Sequence, residues 1–209
     1  MIAISLKNIS KFYDERPIFE NINFDIPEGK ITGLSGPNAS GKTTLLKIIL
    51  GLVEPTKGTV TIYNKNNRDN EIKKIVGYVP QEIALYDDLT TVDNLLSFGE
   101  LYNLTVEKLN ASLKDIVTFL ELEKYKNIKV KNLSTGYKRI VSLGCALVHS
   151  PKILFLDEPT TGLHSSIRTR LWDYFKKLST MKKTIVVSTH YPEELKYVDY
   201  MISLDKQYI

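Results

Sequence analysis

The chain has little cysteine, no long apolar run and no pronounced excess of either charge. Cys145 is the single cysteine among 209 residues, which excludes an internal disulfide framework and fits a reducing compartment. Uncharged stretches stop at about a dozen residues, as at 140–151, against the ~20 that a spanning helix needs. Segment 1–16 carries Lys7, Lys11, Asp14, Glu15 and Arg16 where a secretory leader needs an apolar run. The 28 Lys and Arg against 24 Asp and Glu leave a net charge of +4, spread too evenly to form a basic stripe for nucleic acid. Repeats, low-complexity tracts and heptad runs are absent, which excludes solenoids, disordered linkers and coiled coils. What remains is ordinary globular composition, 43% hydrophobic and 25% charged. A chain this long buries roughly 70% of its unfolded surface without disulfide or metal staples.

Apolar and polar residues alternate over 2–9 and again over 18–26, as in half-buried strands. Pro27, Glu28 and Gly29 turn the chain into a short buried strand at 30–35, and a helix is expected over 42–51. Strands follow at 59–63 and 75–79, with a solvated loop, 64–74, between them. From 85 to about 150 the apolar spacing becomes helical, first through Val92, Leu95, Leu96 and Phe98, then through Leu109, Leu113, Ile116 and Leu120. A third helix is expected over about 135–149. A strand at 153–156, a helix at 166–178 and strands at 184–188 and 200–204 complete the chain. The pattern predicts one unit: an α/β framework (1–84 and 151–209) with a largely parallel sheet covered by helices on both faces, and a helical insertion at about 85–150. The chain stops soon after its last strand, so no C-terminal regulatory domain is expected.

Two motifs carry chemistry. Gly36-Pro37-Asn38-Ala39-Ser40-Gly41-Lys42-Thr43 fits G-x-x-x-x-G-K-[ST] and lies between a strand and a helix. Its glycines permit a tight loop whose N–H groups face phosphate oxygens, and the helix that follows, with Thr44 in its first turn, adds a positive dipole end. Lys42 reaches β- and γ-phosphates in such loops, and the Thr43 hydroxyl ligates Mg²⁺. A second, acidic motif is then required at a strand's carboxyl end, and Ile153-Leu154-Phe155-Leu156-Asp157-Glu158 supplies it. Asp157 suits the metal, and Glu158 suits a base that orients or deprotonates the attacking water. These motifs leave kinases, GTPases and transport ATPases open.

Leu133-Ser134-Thr135-Gly136-Tyr137, some twenty residues before the acidic pair, resembles the LSGGQ signature of the ATP-binding cassette (ABC) family. Other family landmarks fall in order along essentially the whole chain. Tyr13 resembles the aromatic residue that stacks on adenine. Gln81, in Val79-Pro80-Gln81-Glu82, resembles the Q-loop glutamine. Asp157 to Leu163 resembles the second acidic motif running into the D-loop, and His190 resembles the switch histidine.

The resemblance implies a P-loop NTPase (RecA-like) core with an antiparallel β subdomain and an inserted helical subdomain. It implies ATP and Mg²⁺ as ligands and two cassettes packed head to tail around the nucleotide. Ser134 and Gly136 of one subunit would contact the γ-phosphate held by Gly36, Asn38, Ala39, Ser40, Gly41, Lys42 and Thr43 of the other. His190 would hold the γ-phosphate and water, and Gln81, at the hinge with the helical lobe, would sense Mg²⁺ and water. The partners implied are a transmembrane permease and a like or unlike second cassette, which places the chain on the cytoplasmic face of a membrane. Tyr86, Leu89, Leu95, Phe98 and Tyr102 are expected to line a groove for that permease, and the 85–92 segment resembles exporters of drugs, peptides or polysaccharides. Soluble family members that act on ribosomes or DNA carry long coiled coils or paired cassettes, for which 209 residues leave no room; the signature and His190 speak against a small-molecule kinase. Three positions depart from the pattern: Thr135 replaces the first signature glycine, Tyr137 the glutamine, and His164 the D-loop aspartate.

Overall fold

The computed structural model describes residues 1–14 and 16–204. Strands β1 (Ile2–Tyr13) and β2 (Arg16–Pro27) form a long antiparallel hairpin. Both outrun the expected 2–9 and 18–26, because register shifts between Leu6 and Ile9 and between Ile9 and Lys11 break the alternation on which the expectation rests. With β4 (Lys57–Ile62) and β5 (Lys65–Asn66) they make a four-stranded sheet in the order β2-β1-β4-β5. Its buried side chains, among them Ile4, Leu6, Ile22 and Ile62, share a core with Leu45, Leu46, Ile48 and Ile49 of helix α1 (Lys42–Ile49).

A second sheet is wholly parallel. Its order is β6 (Val76–Val79), β7 (Ile153–Asp157), β8 (Thr184–Thr189), β3 (Ile31–Ser35) and β9 (Tyr200–Ser203). Every residue of β7 and β8 is buried, as strands covered on both faces must be, which is why each reads as an apolar run, 153–156 and 185–187, with polar residues only at its ends. Helix α6 (Ser165–Thr180) carries the chain from β7 to β8.

Between β6 and β7 come α3 (Thr91–Glu100), α4 (Val106–Phe119) and α5 (Thr135–Leu147). Each starts on a hydroxyl cap: Thr90 in a capping box with Asp93, Thr105 on Lys108, and Ser134 on Tyr137. Leu95 of α3, Leu109 and Ile116 of α4, and Ile140 and Leu143 of α5 belong to one core that continues to Trp172 and Phe175 of α6.

Segment 64–74 is mostly exposed, as expected, but it is not loop throughout. It holds β5 and the short helix α2 (Asn70–Lys73), and Asn67 and Ile72 are buried. Asn67 Nδ2 donates to Ile48 O at 2.7 Å and Ile49 O at 3.1 Å, satisfying carbonyls that a helix end leaves open. A polar residue doing this looks, in sequence, like one facing water.

Beyond α5 the chain crosses to the sheet at His149. Its Nε2 donates to the Val76 carbonyl at 2.9 Å, and its ring stacks on Tyr102 with centroids 3.6 Å apart. Burial pushes its pKa down to about 4; the bond to Val76 opposes the fall and the Lys183 charge adds to it. Unfolded, the ring takes a proton near pH 6.5, so from there to about pH 4 the unfolded state binds more protons and stability drops as pH falls. Denaturant titrations between pH 7 and pH 4 are expected to show a smaller acid loss in His149→Gln than in the wild type. Equal losses would assign the acid sensitivity elsewhere.

Candidate active site

Four parallel strands end at one edge of the sheet, and each delivers part of the site. After β3 comes the 36–43 loop, after β6 Gln81, at the end of β7 Asp157 and Glu158, and after β8 His190. Register fixes their levels: Ser35 pairs with Thr189, and Asp157 pairs with Ser188.

The loop is shaped by backbone that most side chains resist. Gly41 has φ 90°, and a Cβ there would lie 2.8 Å from Ile18 Cγ2 and 3.0 Å from Phe19 Cδ1. Ala39 is also left-handed, with φ 62°. Helix α1 starts after Gly41 with no side chain capping it, so its first N–H groups remain open to an anion. Lys42 is buried, and its Nζ donates to the carbonyls of Gly36 and Pro37, both at 2.9 Å.

Glu158 is the meeting point. It is buried and left-handed, with φ 45°, a conformation that costs about 1–3 kcal/mol and is held only by its surroundings. Lys42 Nζ lies 3.6 Å from its Oε1. Its Oε2 accepts from Gln81 Nε2 at 3.3 Å and Thr161 Oγ1 at 3.1 Å. His190 Nδ1 stands 3.2 Å from the same oxygen without a hydrogen bond to it. Beneath, Asp157 Oδ1 accepts from Thr43 Oγ1 at 3.1 Å and from Ser188 Oγ at 2.7 Å, and Ser188 Oγ accepts from the Glu158 N–H at 2.9 Å. Asp157 Oδ2 and Ser40 Oγ are buried and meet no hydrogen-bonding partner among the described residues. Thr43 and Asp157 together are a hard-oxygen set of the kind Mg²⁺ takes, with one carboxylate oxygen left over. No group of three or more His, Cys, Asp or Glu among the described residues could hold a metal alone, so such a cation would need phosphate oxygens or water as further ligands.

Of the residues singled out in the sequence, Asn38, Ala39, Gly41, Lys42, Thr43 and Thr44 line one cleft of about 460 Å³, and Gln81, Glu158 and His190 line it with them. Ile18 and Thr161 also line it and were missed, as was Ser188 below. Only the pairing of β7 with β8 discloses Ser188. Tyr13 does not line the cleft; its ring is half exposed, under the Lys11 ammonium at 4.7 Å. Ser134, the exposed cap of α5, and Gly136, buried in its first turn, also stand apart. Tyr137 packs on Tyr125 with centroids 3.9 Å apart, and His164 is exposed at the start of α6.

The family model of ABC transporters matches residues 19–161. Nod factor export ATP-binding protein I of Sinorhizobium fredii is 36% identical over 195 residues, 92% of this chain and 57% of that protein. The linearmycin resistance ATP-binding protein LnrL of Bacillus subtilis is 34% identical over 197 residues, 93% of this chain and 63% of that protein. The chain thus spans less than two thirds of these relatives' length. Among solved structures, a bacterial ABC transporter cassette in dimeric form superposes with a TM-score of 0.85 at 32% identity, over 97% of this chain and 94% of that one. A dimeric cassette in a post-hydrolysis state with ADP and Pi gives 0.83 at 32% identity, over 96% and 93%. A loop, an acidic pair, a glutamine and a histidine gathered at one sheet edge, and a family match that runs from β2 into the loop after β7, are one and the same finding: this chain belongs to the ATP-binding cassette (ABC) transporter family.

Proposed function

We propose that the chain is the ATP-binding and ATP-hydrolysing subunit of an ABC transporter, working as a dimer of cassettes to drive a membrane partner, in export of a drug- or peptide-like substrate. The observation that carries the catalytic part is the convergence of Lys42, Gln81, Thr161 and His190 on the one carboxylate of Glu158.

The chemistry asked of these residues is positioning and charge stabilisation of a phosphoryl group. The open N–H groups of the loop and of α1 bind phosphate oxygens, and Lys42 exchanges its loop carbonyls for them. Thr43 and Asp157 would hold Mg²⁺, which supplies charge to the phosphates when bound. Glu158 lines the cleft as the group to orient water and take its proton; Gln81 and Thr161 hold its Oε2 by hydrogen bonds, and His190 stands beside it. Ser134 and Gly136 lie outside the chain's own cleft, which supports their completing the site of a second cassette. The two dimeric cassettes to which this chain is similar support the same arrangement.

Export is supported by the names of the relatives, a Nod factor exporter and a linearmycin resistance protein. No helix among the described residues is long and apolar enough to cross a membrane, so a membrane-spanning partner would lie outside them. An apolar groove of about 250 Å³ between the two sheets and the helical lobe, lined by Leu52, Tyr78, Leu85, Phe98 and Tyr102 among others, supports a docking seat for it there. Leu52 is 63% exposed there. Of the residues expected to line such a groove, Phe98 and Tyr102 do; Leu95 is fully buried in the lobe, and Tyr86 and Leu89 are exposed elsewhere.

Glu158→Gln is expected to keep ATP binding while turnover falls at least ~100-fold, and to accumulate an ATP-bound dimer in size-exclusion chromatography. A Gln variant with full turnover removes Glu158 as the base. Ser188→Ala leaves Asp157 without its shortest bond, and the Mg²⁺ concentration for half-maximal turnover is expected to rise by about 10–100-fold; an unchanged Mg²⁺ dependence would make Ser188 a packing residue. For transport, tagged chain pulled from detergent-solubilised native membranes is expected to bring a multi-span protein in stoichiometric amount, and Leu52→Glu to lose it at unchanged ATPase rate. Recovery of ribosomal or DNA-bound proteins instead would leave the ATPase and overturn the transport assignment.

A further inference from the structure

Arg139 is a buried cation without a carboxylate partner. It stands on the second turn of α5, 8% exposed, and makes no ion pair among the described residues. Its Nη1 donates to Pro80 O at 2.9 Å, its Nη2 donates to Gln81 O, and its Nε has no partner. Burial pulls its pKa down, against the field of Asp157. Stability alone does not account for such a group, since a packed apolar side chain commonly replaces a buried ion at no loss. The two carbonyls do account for it. They belong to the segment leaving β6, and Gln81 within it reaches Glu158 Oε2 at 3.3 Å.

The same segment is fastened to the approach to α5 further along. Val130 N–H donates to Leu89 O at 2.9 Å and Lys131 N–H to Asp87 O at 3.0 Å. Lys131 pairs with Asp88 at 2.7 Å, and Lys138 with Asp87 at 3.0 Å. Those surface pairs contribute little singly. Arg139 is the attachment closest to the site.

We propose that Arg139 is a positioning residue through which the placement of α5 sets the reach of Gln81 to Glu158. The proposal rests on the ATPase reading above and on Ser134 and Gly136, at the start of the same helix, meeting the nucleotide held by a second cassette. When α5 shifts, the guanidinium takes the Pro80 and Gln81 carbonyls with it, and the Gln81 amide moves relative to the carboxylate. One cleft thereby registers whether the signature end of the same chain is seated on the other. A charge with two diverging donors is needed for this; an apolar side chain of equal length fills the space and transmits nothing.

The test is steady-state ATP hydrolysis with Mg²⁺ by wild type, Arg139→Met, Arg139→Lys, Gln81→Ala and the Arg139→Met/Gln81→Ala double variant, with thermal midpoints and amide exchange of 81–89. Arg139→Met is expected to lower kcat about tenfold with KM within about twofold, at an unchanged or higher midpoint, and to speed exchange over 81–89. Arg139→Lys, with one ammonium for two carbonyls, is expected to fall between. The double variant is expected to be no slower than the slower single one, since both act through one contact. Unchanged kcat in Arg139→Met, losses that multiply in the double variant, or losses that track a lowered midpoint in both Arg139 variants would overturn the proposal. A wild type without turnover overturns the ATPase reading and the proposal with it; normal wild-type turnover with unaltered exchange in Arg139→Met overturns the clamp alone.

Discussion

A lysine ammonium buried to 4% exposure has to be surrounded by oxygen, and the site is built around that requirement. Lys42 meets it with two carbonyls of its own loop and a carboxylate from a strand two places away in the sheet. For the carbonyls to turn inward, the loop must pass through left-handed backbone at Ala39 and Gly41, and at Gly41 the neighbouring Ile18 and Phe19 leave no room for a Cβ. For the carboxylate to arrive, β7 must run parallel to β3 with β8 between them. The intervening strand is then obliged to contribute: Ser188 under Asp157, and His190 beside Glu158.

This arrangement is satisfied yet poised. The carbonyls of Gly36 and Pro37 give Lys42 neutral acceptors, and a phosphate oxygen offers a charged one, which bonds roughly twice as strongly. Glu158 is held in a strained backbone by neighbours on three separate strand ends, so its direction is set by the sheet rather than by its own preference. Anion entry therefore redistributes hydrogen bonds that already exist, with little that must be ordered anew.

What can be read in the sequence is what depends on local backbone. The phosphate loop and the acidic end of β7 are motifs because neighbouring residues make the geometry, and the buried strands of the parallel sheet show as short apolar runs. Contacts made across the fold leave no such trace. Ser188 is one polar residue in a strand until the β7–β8 register sets it under Asp157. Asn67 looks solvated until it meets the end of α1. The bulges of β1 hide the turn end of the hairpin, and the Ile18 contact with Gly41 joins two sheets that no periodicity relates.

The departures from the family signature follow the same division. A Cβ on Gly136 would lie 3.2 Å from Ile167 Cγ2 of α6, so a side chain at the second glycine of the signature needs Ile167 to give by a few tenths of an ångström. Thr135 is exposed on the first turn of α5 in ordinary helical backbone, where a side chain meets no such wall within this chain. Tyr137 turns back to Tyr125 and to Arg170, whose guanidinium sits 5.9 Å from its ring. Arg170 in turn holds Tyr174 Oη at 2.7 Å and Glu121 at 3.0 Å. A tyrosine in place of glutamine thus joins the signature end of α5 to α6, and α6 is the helix that His164 begins. The link between the two helices is made by Tyr137, Tyr125 and Arg170, and the side chain that begins α6 at 164 takes no part in those contacts.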